Sequence, residues 1–347
     1  MTGRRAWVRW LAPVVLIALA LLVFRDQLPF LAEARAQIAH AQVGPLLASV
    51  VTALLAIVAM SGVMQILLNV ERTIANPANT NAIVLASNAW STTVPGGPAL
   101  SAWLTFRVHR SWGASVGLCG WFFVVSGALS TVWMALIGVG AVVMLGAELS
   151  IWSLGGTVVA GAVTMWVVFW ATRNPEAIKR WFRFLPTGAR ARVGDVIDQV
   201  GALHISGPAF IGAAVLSLCN QLFDVATMTF AVWAATGAAP DNPVGIFLAY
   251  IMTKLAGAAQ ITPGGVGTVE PVAVGMLVAS GMPLASATAA TVLYRAVSFL
   301  FVSAIGWVIY AAVYAGRGYL VGIRQADAER KDYAAGHERT TDDWTQR

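Results

Sequence analysis

The sequence predicts an all-α polytopic membrane protein: about six spanning helices plus two helical hairpins, each broken at a Pro-Gly-Gly triplet. Three observations carry this. Of 347 residues, 58% are apolar and 11% charged, against roughly 25% charged in a typical globular domain. The charges are gathered so that uncharged runs repeatedly approach or exceed the about 20 helical residues that cross a bilayer. Two of those runs are interrupted, at Pro95-Gly96-Gly97 and at Pro263-Gly264-Gly265. With a mean hydropathy of +0.72, this composition excludes a cytosolic enzyme, a disulfide-stapled secreted domain and a disordered tail protein. Cys119 and Cys219 both sit inside apolar runs, as small hydrophobes and not as a disulfide or metal framework. A net charge of +6 would suit nucleic acid in a soluble protein. In a membrane protein the placement of charge matters more than its sum, and no nucleic-acid partner is expected.

The elements follow in order. Residues 10–24 come after Arg4, Arg5 and Arg9 with no small-residue cleavage site at the usual distance, which favours a signal anchor over a cleaved signal. With the N-terminus in the cytoplasm, this segment exits and residues 43–70 return, placing Arg72 inside. Residues 79–106, broken by Pro95-Gly96-Gly97-Pro98, read as a hairpin re-entering from the cytoplasm. A full crossing there would put the basic loop with Arg173, Lys179, Arg180, Arg183, Arg190 and Arg192 outside, against the positive-inside bias. Irregular backbone at membrane depth is tolerated only where it is buried in protein or lines a wet cavity.

Residues 113–145 then exit, 154–172 return, and the basic cytoplasmic loop 173–206 follows. Its interleaved Trp181, Phe182 and Phe184 suit either an interfacial segment attracted to anionic lipid or a plain positive-inside loop. Residues 207–236 exit again. A second broken pair, 244–261 and 266–280, meets at Pro263-Gly264-Gly265-Val266-Gly267, and its parity is the same whether it spans or dips. Residues 284–315 return the chain inside. Of 22 Lys and Arg, Arg25 and Arg35 fall outside, Lys254 and Arg295 fall in the membrane, and the rest lie inside. That asymmetry predicts a multi-pass protein of a bacterial-type cytoplasmic (inner) membrane with both termini cytoplasmic. Residues 1–316 form the membrane domain; residues 317–347 are a polar tail, disordered by composition.

The two triplets sit at corresponding places, each after a long spanning helix and each followed by another apolar segment. Residues 43–145 and 207–316 therefore read as an inverted repeat, with the first hairpin entering from inside and the second from outside. Breaks at corresponding places in oppositely oriented halves point to a transporter's site. The same triplets would also serve as ordinary inter-helix turns.

Four charges stand inside apolar runs: Asp224, Lys254, Glu270 and Arg295. A charge at membrane depth usually pairs or lines a pathway. Glu270, three residues after Gly267, is placed to cap the helix beyond the break or to face a cavity. Arg295 lies mid-helix, and a guanidinium binds phosphate bidentately. A Glu270–Arg295 pair would neutralise both, and exchanging that pairing for a head group is a transport step; a static buried pair that fixes packing is the plainer alternative. Asp224 and Lys254 lie closer to an interface, within reach of snorkelling. The glycines of residues 263–267 offer backbone N–H groups to a phosphate.

Other signatures fail. Gly264-Gly265-Val266-Gly267 is not followed by Gly-Lys-Ser/Thr, His40, His109, His204 and His337 have no metal-ligand spacing, and no hydrolase elbow is present. Asn76-Pro77-Ala78 matches an aquaporin half-helix signature that requires two copies, and there is one. Gly113-x-x-x-Gly117 has the spacing of a helix-packing pair. No cofactor and no enzymatic activity are expected.

Pro263-Gly264-Gly265-Val266-Gly267-Thr268-Val269-Glu270, then Gly281-Met282-Pro283, then Leu293-Tyr294-Arg295, resemble the lysylphosphatidylglycerol synthase transmembrane-region family. This flippase-like membrane domain also occurs as stand-alone proteins. The resemblance covers residues 43–316, and the positions it marks are Pro263, Gly264, Gly265, Gly267, Glu270, Tyr294 and Arg295. The first half departs from the family pattern: its break runs on into Pro98-Ala99-Leu100, with Arg107 further on. The resemblance implies a translocating membrane part without the soluble aminoacyl-transfer domain, so lysyl-lipid synthesis is not expected. It implies membrane lipids with an anionic or zwitterionic phospholipid head group, or another lipid-linked substrate, as ligands. The alternative function is a non-transporting scaffold subunit for a cell-envelope enzyme partner.

Overall fold

The computed structural model describes residues 41–144, 205–258 and 262–317, with isolated positions 159, 163, 170 and 203. All regular structure among the described residues is helical. Four helices are long and apolar enough to cross a membrane: α1 (Val43–Leu68), α4 (Val116–Met144), α5 (Gly207–Thr236) and α8 (Leu284–Tyr314). Between the first two lie α2 (Pro77–Thr93) and α3 (Gly97–Ser111); between the last two lie α6 (Pro243–Ala258) and α7 (Val269–Ala279). These four long helices match the predicted spans 43–70, 113–145, 207–236 and 284–315. The predicted spans 10–24 and 154–172, the basic residues of the loop 173–206, and the tail lie outside the described residues, apart from the isolated positions above.

The ends follow local chemistry. Asn76 Oδ1 accepts the Asn79 N–H at 2.8 Å ahead of Pro77, so the Asn-Pro-Ala run is an N-cap with proline in the first turn. Ser206 caps α5 in the same way, with Pro208 in the first turn, and Gly237 ends it at φ 80°. Gly113 lies in the turn before α4 at φ 90°, where a side chain is strained. The Gly113/Gly117 spacing is therefore a turn and not a helix-packing face.

In lipid, helices associate through close packing and polar contacts across small residues. The buried face of α1 carries Ser49, Ala53 and Ala56 against α5. Ser49 Oγ donates to the Thr227 carbonyl at 2.9 Å, and Asn220 Nδ2 donates to the Ala56 carbonyl at 2.8 Å. The opposite face, with Val51, Leu55 and Val58, is exposed. Helix α2 packs on α8, where Gly306 lies so close to the Leu85 carbonyl that a Cβ has no room. Helix α6 packs on α4. The first helix of each broken pair thus rests on the last long helix of the other half.

Candidate functional site

The two breaks share a backbone plan. After α2, Val94 is extended and Gly96 turns left-handed at φ 68°, so that α3 starts at Gly97 with Pro98 in its first turn. A Cβ at Gly97 would collide with the carbonyl oxygens of Trp90 and Ser91. In the second break Pro263–Gly265 form one 3₁₀ turn, with Gly264 at φ 63° and Gly265 at φ 65°, and Gly267 follows at φ 83°. The breaks also touch: a Cβ at Gly264 would lie 2.7 Å from the Thr92 carbonyl oxygen and 2.5 Å from the Phe299 ring.

The second break is clasped by charge. Glu270 stands in the first turn of α7, where the helix dipole favours a carboxylate. Its Oε2 accepts the Gly267 N–H at 2.7 Å and its Oε1 accepts the Arg295 Nε–H at 2.8 Å. Arg295 Nη2 donates to the Gly264 carbonyl at 2.7 Å, and its guanidinium carbon lies 4.5 Å from the Phe299 ring centroid. Immediately after Arg295, α8 widens into a π-helical stretch, Ala296–Phe301, which carries Ser298 and Phe299 beside the clasp. Such stretches recur at functional sites.

A second ion pair lies between α5 and α6. Lys254 Nζ is 2.6 Å from Asp224 Oδ2 and 5.4 Å from the Tyr250 ring centroid. The buried Tyr250 hydroxyl donates to Gln221 Oε1 at 2.8 Å, and Gln221 Nε2 donates to Ser130 Oγ at 2.9 Å on α4. This lattice fixes the α6 face that presents Lys254.

Both breaks and both cations open onto one cavity of about 670 Å³. Of the residues singled out from sequence, Pro95, Gly96 and Gly97 line it from the first half. Asp224, Lys254, Pro263, Gly264, Gly265, Tyr294 and Arg295 line it from the second. Glu270 and Gly267 do not; they stand behind the wall and hold it. The family model of the lysylphosphatidylglycerol synthase TM region matches residues 9–306. The chain belongs to this family. A comparison with curated proteins gives no match. Membership agrees with the resemblance carried by residues 263–295 and makes the protein a multi-pass membrane protein of the lysylphosphatidylglycerol synthase TM type.

Within this family member, two sequence expectations change. Four N–H groups of the second break are already engaged within the fold. Gly265, Val266 and Thr268 donate to the carbonyls of Thr262, Pro263 and Gly265, and Gly267 donates to Glu270. Arg295 is also less available than its mid-helix position implied: two of its nitrogens are engaged and its side chain is 11% exposed, against 40% for Lys254. Sequence reasoning missed the neutral wall of the cavity, Ser87, Asn88, Ser91 and Thr92 on α2, and missed Asn220 and Gln221 beside Asp224. The signal was present: polar residues three and four apart form one face of α2 and one face of α5. Among the described residues no three His, Cys, Asp or Glu side chains are grouped as metal ligands.

Proposed function

We propose that this protein translocates a phospholipid or other phosphate-linked lipid between leaflets, with the head group passing through the cavity between the two breaks. The observation that carries the reading is the placement of two ion pairs and two irregular backbone turns around one cavity. Broken helices at membrane depth belong where they line such a space. The two halves, residues 43–145 and 207–316, act as an inverted repeat whose hairpins re-enter from opposite faces of the inner membrane. The crossed packing of α2 on α8 and of α6 on α4 supports this symmetry. Both termini are cytoplasmic, and the protein is a translocator without catalytic activity of its own. No nucleotide-binding motif is present in the sequence, so movement follows the lipid's own gradient or an ion gradient.

The test is leaflet exchange of fluorescent lipid in liposomes, with wild type compared with E270Q and R295Q after each is shown to be monodisperse. Exchange by wild type that is lost in the well-folded variants supports translocation. No exchange of anionic, zwitterionic or polyprenyl lipid overturns it in favour of a scaffold, and a co-purifying cell-envelope enzyme would then be sought.

A further inference from the structure

Helix α3 has two unlike faces. Leu104, Thr105, Val108 and His109 are buried in the bundle. Trp103, Phe106, Arg107 and Arg110 stand at i, i+3, i+4 and i+7 and share the outer face, and none of them lines the cavity. The aromatics lie nearer the break and the arginines toward the far end. Trp103 is 37% exposed, its ring is stacked 6.3 Å from that of Phe106, and the Arg107 guanidinium carbon lies 5.7 Å from its centroid. With 15 residues, α3 is about 22 Å long, too short to span a hydrocarbon core.

The arginine end sits at an edge of the bundle. Arg72 follows the 26-residue α1, and residues 112–115 precede α4, so both connections lie where spanning helices end. Arg72 Nη2 donates to the Gly113 carbonyl at 2.8 Å and Arg110 Nη1 donates to the neighbouring Ala114 carbonyl. Two guanidiniums thus meet on one turn with further N–H donors unused. Arg107 has only the Trp103 ring as partner, and no carboxylate pairs with any of the three arginines among the described residues. Glu71 is the only Asp or Glu between residues 69 and 116, so three arginines stand against one carboxylate. Directly beyond the turn, Val116 and Val124 expose an apolar face of α4.

Arginines at the edge, aromatic rings deeper and an apolar face alongside repeat the order of groups in a phospholipid. A soluble anion would account for the arginines alone. We infer that the outer face of α3 binds an anionic phospholipid of the surrounding leaflet, with its phosphate on Arg72, Arg107 and Arg110 and its glycerol and upper acyl region against Trp103 and Phe106. This lipid is a resident ligand outside the cavity, and the inference holds whether or not the cavity carries cargo. Because α3 starts at Gly97, the same lipid steadies the far end of the first break.

The experiment is photo-crosslinking of the full-length protein in vesicles of equal phosphatidylglycerol and phosphatidylcholine, with adducts identified by mass. A benzophenone amino acid replaces Val116 in one version and Val51, exposed on α1, in another. At position 116 anionic adducts are expected to exceed zwitterionic ones about tenfold, and at position 51 the two should be equal. R107Q, which breaks no hydrogen bond, should lower the ratio about fivefold, and R107Q/R110Q should bring it to parity. R107K/R110K keeps the charge and should keep most of the ratio. Parity in the wild type, or a ratio unchanged in R107Q/R110Q, overturns the site. A ratio abolished by millimolar inorganic phosphate overturns the lipid as its source. Lipid adducts at 51 but none at 116 mean that protein covers this face, which overturns it as well.

Discussion

At the first break Gly96 turns at φ 68° and a side chain added there meets open space; at the second, Gly264 turns at φ 63° and a side chain added there meets the Thr92 carbonyl oxygen at 2.7 Å. The first is bounded by Asn88, Ser91 and Ser101, the second by Glu270, Arg295 and Phe299. One backbone device has thus been furnished in two ways. Pro-Gly-Gly supplies a left-handed turn between two short helices and nothing more. The chemistry comes from what the neighbouring helices bring to each turn, which explains why the charges are confined to one side of the cavity.

The largest effect expected from breaking this contrast is at the clasp. R295Q leaves the Glu270 carboxylate without its ion pair and the Gly264 carbonyl without its donor. Leaving a buried partner unpaired costs about 3 kcal/mol or more. K254Q likewise leaves the Asp224 carboxylate without its ion pair, but the cation it removes is 40% exposed and its partner 22%, so the cost is expected to be smaller, about 1 to 2 kcal/mol. Thermal melting of the purified variants in one detergent ranks them. A melting temperature for K254Q as low as that for R295Q would show that the two pairs do the same structural job.

Much of this arrangement was legible in the sequence, for identifiable reasons. The long helices were placed within a few residues because residues 43–70, 113–145, 207–236 and 284–315 hold almost no charge, and backbone in lipid must satisfy its own hydrogen bonds. The Glu270–Arg295 pairing was legible because each charge sits in apolar surroundings with a strong need for neutralisation. The Asp224–Lys254 pair was not, since each residue lies near enough to an interface to be satisfied by snorkelling without a partner. Nor was the approach of one break to the other. That depends on α2 reaching α8 over Gly306, a tertiary contact with no trace in hydropathy. The neutral wall on α2 was passed over because Asn88 and Ser91 carry no charge to draw notice in an apolar stretch.

A smaller and sharper contrast separates the glycines. G96A imposes a left-handed turn on alanine in open space, a strain of about 1 kcal/mol. G264A adds to the same strain a methyl group against the Thr92 carbonyl and the Phe299 ring, so the two breaks must part or α8 must shift. The expected order is G264A well below G96A in melting temperature, with the deficit of G264A near 2 to 3 kcal/mol. Equal losses would mean that the breaks do not touch in the folded protein.

The smallest effect tests what holds the first break against α8. Trp307 Nε1 donates to Thr93 Oγ1 at 3.0 Å, and Thr92 Oγ1 lies 2.9 Å from Ser303 Oγ. Both bonds join the last turn of α2 to α8, and both are partly buried. W307F keeps an aromatic ring beside Trp90 and Tyr310 but deletes the donor. A hydrogen bond of this kind contributes about 1 kcal/mol net, so a drop of only a few degrees in melting temperature is expected. Since Thr92 also lies under Gly264, loosening α2 should reach the second break and not the first alone. Cysteine-accessibility rates at S91C and at T262C, measured with and without W307F, read this directly. Rates that rise together place the two breaks in one mechanical unit, whereas a rise at residue 91 alone separates them and leaves the charged clasp independent of the neutral wall.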